Sequence, residues 1–377
     1  MKILFDNQIF NEQKYGGVSR YFSQLLKKLH NSKDIYFRLP IKYSRNEYLK
    51  EVEDLKIYSG LPASIIKNKF LSRLLNRIAK EINTALVRRE LKRQNFNIFH
   101  PTYYSTYFLK YLKNKKFVLT IYDMIHEIYP DYFKSDRDRT VNDKKELALK
   151  ANKIIAISKN TKQDIIDIYG ISEEKIKVIY LANSLKPFVG KPIGAPDLPQ
   201  KYILFVGSRG AYKNFIYFIS SIAQLLKDDK ELCIIVAGGY SGQDLFSESE
   251  KNLFLELAIN DQIFQYSVND EILAYLYKNA RCFVFPTLYE GFGIPVLEAF
   301  ACDCPAVISN TSSLPEVGGS AAVYFDPLNA DNMLESVRKV VYNNELRQEM
   351  ILKGREQLKK FSWEKTAEET ASLYLEI

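Results

Sequence analysis

Phe283-Val-Phe-Pro-Thr-Leu-Tyr-Glu-Gly-Phe-Gly-Ile-Pro-Val-Leu-Glu-Ala-Phe-Ala-Cys302 is the stretch from which the fold class is read. The apolar run Cys282 to Phe285 reads as a buried strand. It breaks at Pro286 and passes a loop holding Glu290, Gly291, Phe292 and Gly293. It then enters a helix at or near Pro295, whose fixed φ suits a first helical turn. Strand, glycine loop and helix in that order make the unit of a parallel α/β sheet. Such a loop lies at the carboxyl ends of the strands, where ligands bind, and the helix behind it offers free N–H groups and a positive dipole end to an anion. Two carboxylates bracket the loop, Glu290 before it and Glu298 within the helix. Carboxylates are poor phosphate ligands but good acceptors for sugar hydroxyls, so the loop suits a ligand carrying both.

A chain of 377 residues exceeds what one hydrophobic core usually supports, which favours two domains. With 46% hydrophobic and 26% charged residues the composition is globular, and a largely disordered chain is excluded. The four cysteines (Cys233, Cys282, Cys302, Cys304) lack the paired spacing of a zinc site and read as free thiols of a reducing cytosol. The opening run Met1 to Asp6 is too short for a signal peptide, and no stretch approaches the ~20 apolar residues of a membrane span. Charge is divided unevenly. Residues 1–190 hold 36 Lys+Arg against 20 Asp+Glu, or +16; the remainder holds 53 − 36 = 17 against 45 − 20 = 25, or −8. A basic first half faces some anionic partner.

In chain order, Lys2 to Phe5 reads as a strand, and a helix with Val18, Phe22, Leu25, Leu26 and Leu29 on one face follows the pair Gly16-Gly17, which lets a backbone approach a ligand closely. Residues 65–94 read as an amphipathic helix or helix pair. Leu71, Leu74, Leu75, Ile78, Ile82 and Leu86 recur at helical spacing, and nine Lys and Arg outnumber Glu81 and Glu90. Two readings stand for it, a core-facing stripe with a solvated basic face and a membrane-surface helix. No helix-turn-helix, RNP-like or zinc-finger pattern points to nucleic acid. Strands follow at Asn97–His100, Lys116–Ile121, Lys153–Ile157 and Ile176–Tyr180. Asn183 to Gln200, rich in Pro and Gly, is the clearest linker. Beyond it, Tyr202–Val206 opens a second set of strands and exits into Gly207-Ser-Arg-Gly-Ala-Tyr-Lys-Asn214, a basic loop able to neutralise a diphosphate. Glu231–Ala237, Pro305–Ser309 and Ala322–Phe325 are further strands.

Glu290 and Glu298, seven residues between them and set in Tyr-Glu-Gly-Phe-Gly-Ile-Pro-Val-Leu-Glu-Ala, resemble the Glu-x7-Glu signature of retaining glycosyltransferases of family 4, whose fold is GT-B. Cys304 to Gly319 and Tyr324-Phe-Asp-Pro327 resemble that family too, in particular its bacterial polysaccharide mannosyltransferase-like branch. The resemblance implies two Rossmann-like parallel-sheet domains facing a cleft: a basic acceptor domain over 1–185, a nucleotide-sugar domain over 186–360, and a helix over 361–377 that crosses back to the first domain, anchored by Trp363. It also implies residue roles. Glu298 would take the donor ribose and Glu290 the sugar. Lys213, Arg209 and the backbone of Gly291, Phe292, Gly293 and Ile294 would take the diphosphate, faced by the Gly16-Gly17 loop. Lys213-Asn214 matches the family's lysine, whereas Tyr212 stands where many members carry an arginine, leaving Arg209 as its substitute. Thr120-Ile-Tyr-Asp-Met-Ile-His-Glu127 looks like the branch's strand-end motif and implies that Asp123, His126 and Glu127 sit at the cleft, with Asp123 orienting or deprotonating the acceptor hydroxyl. The usual His-Asp pair is replaced here by Tyr122-Asp123, and His126 either donates to a sugar hydroxyl or is a surface histidine.

Asp136-Arg-Asp138 is not read as the metal-binding Asp-x-Asp of the other glycosyltransferase fold, because it opens a helix in a polar stretch; no metal and no cofactor are expected. The expected partners are a nucleotide sugar and a glycan or lipid-linked glycan at the inner membrane face of a cytoplasmic enzyme. GDP-mannose is the favoured donor, with UDP-N-acetylglucosamine, another UDP-hexose or GDP-fucose open. Two rivals of other classes are a sugar-nucleotide epimerase and a non-catalytic glycan- or membrane-binding protein.

Overall fold

The computed structural model describes residues 1–53, 55, 57–58, 69–133, 137–238 and 246–377. Asp136 of the Asp136-Arg-Asp138 triplet, Lys67 with the start of the expected 65–94 helix, and Gly239 lie outside those residues. The chain divides into two compact units, Met1–Leu181 with Trp363–Ile377, and Ala182–Ser362.

The first unit is built on a parallel sheet of β1 (Lys2–Phe5), β2 (Tyr36–Arg38), β3 (Ile98–His100), β4 (Lys116–Ile121), β5 (Lys153–Ala156) and β6 (Ile176–Val178), in the order β2-β1-β3-β4-β5-β6. Its inner strands are near-continuous apolar runs because helices cover both faces of such a sheet. The helix Gly17–His30 buries Tyr21, Phe22, Leu25, Leu26 and Leu29. Against it lies the helix Trp363–Leu375, whose Trp363 ring is 6.4 Å from that of Tyr21 and whose Thr366 donates to the Tyr180 carbonyl at 2.7 Å. His100, at the end of β3, is fully buried and fastens the same helix: its Nδ1 is 2.5 Å from the Tyr374 hydroxyl and its Nε2 is 2.9 Å from Thr120 Oγ1.

The second unit holds β7 (Lys201–Val206), β8 (Leu232–Ala237), β9 (Ile263–Tyr266), β10 (Cys282–Phe285), β11 (Ala306–Ser309) and β12 (Ala322–Phe325), all parallel, in the order β12-β11-β10-β7-β8-β9. The helices Phe215–Asp228 and Ala330–Tyr342 pack on one face. Phe218, Ile222, Leu226, Val337 and Val340 close over Ile203, Phe205, Ile234 and Val284 in one core. The order reverses between β7 and β10, the first and fourth strands of this sheet. Chain leaving those two strands diverges to opposite sides, which opens a crevice at their carboxyl ends. All four cysteines are buried and free, and burial pushes the Cys282 and Cys302 thiols up to about 12.

Candidate functional site

The crevice between β7 and β10 is flanked by the two loops that the sequence singles out. After β7 the chain runs through Gly207 to Asn214; after β10 it runs from Pro286 to Gly293. The loops are tied to each other through backbone: the Leu288 N–H donates to the Tyr212 carbonyl at 2.8 Å and Thr287 Oγ1 donates to it at 3.2 Å. This brings Lys213 Nζ to 2.5 Å from Glu290 Oε1, although 77 residues separate them in sequence. The ammonium also lies over the rings of Tyr212 and Phe285, 5.1 and 5.2 Å from their centroids, so the charge is held in a fixed place.

Glu290 is oriented from below by a polar run after β11. Ser312 Oγ accepts the Glu290 N–H at 2.9 Å, and Ser313 Oγ bonds the Glu290 and Phe292 carbonyls at 2.8 and 2.9 Å. Thr311 Oγ1 donates to the Leu288 carbonyl at 3.2 Å. The Glu290 N–H and the Glu290 and Phe292 carbonyls are thus all anchored on the Ser312-Ser313 run, which fixes the path of the loop into Gly293. Gly293 then caps the helix Ile294–Ala301 with φ of 102°, a conformation that L side chains rarely adopt, and a Cβ there would stand 2.7 Å from Leu314 Cδ2. Phe292 is buried against Phe361, Gly291 and Ile294 are half-buried, and Pro295 lies in the first turn. Glu298, 7% exposed, accepts from the Tyr277 hydroxyl at 3.3 Å; burial, then the Glu298 charge, drives the Tyr277 phenol well above its ordinary range.

Arg209 is placed differently from Lys213. Its side chain is wholly buried; Nε and a terminal nitrogen meet both Glu250 oxygens at 2.6 and 3.4 Å, and another nitrogen bonds the Gly238 carbonyl at 3.1 Å. The guanidinium also lies 4.9 Å from the Phe246 ring centroid. Glu250 in turn forms a capping box with Ser247 at the start of the helix Glu248–Glu256. A guanidinium so enclosed braces the β7 loop from beneath.

In the first unit, Asp123 follows β4 and its Oδ1 accepts the Ile125 N–H at 3.2 Å, just ahead of the short helix Ile125–Ile128. The carboxylate is half-exposed beside Tyr103, whose phenol burial and then the Asp123 charge push up to about 12. His126 packs against Phe133, with ring centroids 4.3 Å apart and ring planes tilted by 40°, and its buried Nδ1 has no hydrogen-bond partner. Burial, then the nearby Lys144 ammonium, lowers its pKa, so its neutral form is favoured. Glu127 lies close enough for its charge to act on His126, but its carboxylate is engaged elsewhere. It turns inward, 4% exposed at the side chain, to a wholly buried Lys144 at 2.9 Å, and it accepts from the Tyr169 hydroxyl. Lys144 Nζ also donates to the Asp123 carbonyl at 3.0 Å and lies 5.3 Å from the Tyr104 ring centroid. The ion pair thus clamps the loop that presents Asp123 and His126. Gly16 and Gly17 open the helix Gly17–His30, where Gln13 Oε1 accepts the Ser19 N–H at 3.0 Å; a Cβ on Gly16 would strike that Gln13 side chain, whereas one on Gly17 would meet nothing within 4 Å.

Sequence reading missed Tyr277, Ser312, Ser313 and Lys144. The two serines lie inside a segment it did single out, and a polar run at a strand end is their only local signal. Among the described residues no group of three or more His, Cys, Asp or Glu side chains is gathered as a metal site, and no helix is long and apolar enough to cross a membrane.

Compared with known proteins, residues 15–182 match the family described as Glycosyltransferase Family 4, and residues 191–357 match that described as Glycosyl transferases group 1. The chain is similar to O-antigen chain mannosyltransferase B of Escherichia coli, 27% identical over 403 aligned positions that span 99% of each chain. It is 26% identical to O-antigen chain mannosyltransferase RfbU of Salmonella typhimurium over 60% of this chain and 65% of the relative. Among solved structures, sucrose-phosphate synthase from Thermosynechococcus elongatus has a TM-score of 0.71 at 18% identity, covering 100% of this chain and 98% of that one, a likeness of fold.

Proposed function

Because the chain belongs to the group 1 and family 4 glycosyltransferases and has their GT-B fold, we propose that it transfers mannose from GDP-mannose to a glycan or lipid-linked glycan in bacterial surface polysaccharide synthesis. The choice of mannose is supported by the O-antigen mannosyltransferases that resemble the chain, one over 99% of its length and one over 60%. The observation that carries the reading is the Lys213–Glu290 contact at the strand-order reversal, with Glu298 about one turn into the helix that follows the loop.

In this reading Glu298 accepts from the ribose hydroxyls and Glu290 from the sugar. Lys213 and the N–H groups around Gly293 meet the diphosphate, and Arg209 acts by bracing that loop. The bond from the anomeric carbon to the phosphate oxygen breaks, and GDP leaves with the electron pair. The acceptor oxygen bonds to the same face, and its proton passes to Asp123 or to the departing phosphate. Charge develops on the leaving diphosphate, so a preplaced ammonium and fixed N–H dipoles lower the barrier without a metal. A neutral His126 would serve as a hydrogen-bond partner of the acceptor. The enzyme would work at the cytoplasmic face of the membrane, where a lipid-linked acceptor is exposed.

The test is NMR of the product formed from GDP-mannose and a soluble mannoside in EDTA. A mannosyl product with the donor's anomeric configuration is expected. An inverted product, or transfer that requires added metal, would refute the mechanism. Use of UDP-N-acetylglucosamine, another UDP-hexose or GDP-fucose would reassign the donor. Epimerisation of donor without acceptor would instead identify an epimerase, and no turnover, unaltered in Glu290→Gln, a binding protein.

A further inference from the structure

The helix Lys69–Arg93 buries one side and leaves an unusual one in water. Asn83, Val87 and Leu91, at i, i+4 and i+8, are buried. The opposite side begins with Leu74, Ile78 and Ile82, again at i, i+4 and i+8, which are 44%, 47% and 36% exposed. A solvated helix face is ordinarily polar, so a row of three large aliphatic side chains on it calls for a partner. The row does not end in more apolar residues. Past Ala85 the same face continues into Arg89, Lys92 and Arg93, and the two halves form adjoining surface grooves that share Ala85. Along the described part of this face Glu81 is the one acid, and Glu90, which pairs with Arg93 and Arg38, is itself buried.

We propose that this face is the docking surface for an anionic phospholipid bilayer. The proposal rests on the lipid-linked acceptor reading for its purpose and on the helix for its geometry. Aliphatic side chains offer no hydrogen bonds to a glycan, which excludes a sugar as occupant of the Leu74–Ile82 half. A second copy meeting this face about a two-fold axis along the helix would set one cluster of arginine and lysine beside another, and one meeting it antiparallel would cover the aliphatic row and leave the cations unmatched. A bilayer satisfies both halves at once, with the aliphatic row entering the boundary between headgroups and acyl chains and the cations resting on lipid phosphates. Its anionic sign agrees with the +16 carried by residues 1–190.

The experiment is flotation of the full chain with vesicles of phosphatidylglycerol and phosphatidylcholine, against vesicles of phosphatidylcholine alone, at low and high salt. Binding to the anionic vesicles that weakens with salt is expected. Arg89→Glu/Lys92→Glu should lower partitioning at least about tenfold, since each cation near such a surface contributes a factor of several. Ile78→Ser/Ile82→Ser should lower it comparably and leave residual salt-sensitive binding. In both variants the thermal shift with GDP and transfer to a soluble mannoside should stay at the wild-type level. No flotation, flotation equal on neutral vesicles, or flotation indifferent to both double variants would overturn the proposal, as would self-association that the Ile78→Ser/Ile82→Ser change abolishes. Failure of the glycosyltransferase reading shows separately, as absent transfer with flotation intact.

Discussion

Lys144→Met is the most revealing single change in the first unit. The lysine is wholly buried between Glu127, the Asp123 carbonyl and the Tyr104 ring, and Glu127 is 4% exposed at its side chain. Removing the ammonium leaves a buried carboxylate with the Tyr169 hydroxyl and no opposite charge at hydrogen-bonding distance. Breaking one partner of such a pair costs about 3–5 kcal/mol. The unit contains 181 + 15 = 196 residues. At about 2.1 cal/mol/K per residue its unfolding entropy is about 0.4 kcal/mol/K, so the expected fall in Tm is roughly 7–12 °C, or about half that if both units melt together. Differential scanning calorimetry of Lys144→Met, Glu127→Gln and the double variant gives the measurement. The double variant should recover a large part of the loss, because it carries no unpaired charge. It should still transfer slowly, since the Asp123 loop has lost its clamp. A fall of under about 2 °C for Lys144→Met, or a double variant no better than the single one, would refute the argument.

The remaining expectations concern two glycines and one histidine. Gly17→Ala should melt at or slightly above the wild type, since its Cβ meets nothing within 4 Å, yet raise the KM for donor if a diphosphate approaches that backbone; an unchanged KM would remove Gly17 from the site. Gly293→Ala should lose about 1–3 kcal/mol, because φ of 102° is strained for alanine and its Cβ would strike Leu314; an unchanged urea midpoint would contradict the loop geometry. Burial lowers the His100 pKa to about 3 from an unfolded value near 6.5. The unfolded chain therefore binds the extra proton between those values. The contribution of neutral His100 is fully present above about pH 6.5 and is lost as pH falls toward 3, at up to about 1.4 kcal/mol per pH unit. His100→Gln should be less stable at pH 7.5 and flatter from pH 6.5 to 4.5 in urea titrations; parallel curves would show that His100 is not the group.

What was legible in the chain follows from how far apart the interacting residues lie. Cys282 to Phe285 and Lys116 to Ile121 announce themselves as buried strands because central parallel strands are apolar on both faces, and the structure returns them with those bounds. Tyr36–Arg38 and Ile263–Tyr266 went unread. Both are edge strands of three or four residues, half in water, with too little apolar pattern to stand out. The glycine loop and its two carboxylates form a local motif, so their neighbourhood could be foreseen. The contact of Glu290 with Lys213 depends on strand order, which no local pattern contains. Lys144 sits in Asn-Asp-Lys-Lys-Glu146, a stretch that looks like solvated surface, and only the turn of Glu127 beneath its loop makes the lysine an interior residue. Arg209 looked free to meet an anion because Glu250, its partner, is 41 residues away.

The central claim is that the second unit binds a nucleotide sugar through Glu298 and Lys213. Its most direct test is the thermal shift of the full chain with GDP, UDP, ADP and their sugars, with and without EDTA, repeated on Glu298→Ala and Lys213→Ala. A rise with GDP and GDP-mannose that ignores EDTA and disappears in both variants is the expected result. No rise with any nucleotide, or a rise that both variants retain in full, would contradict the claim.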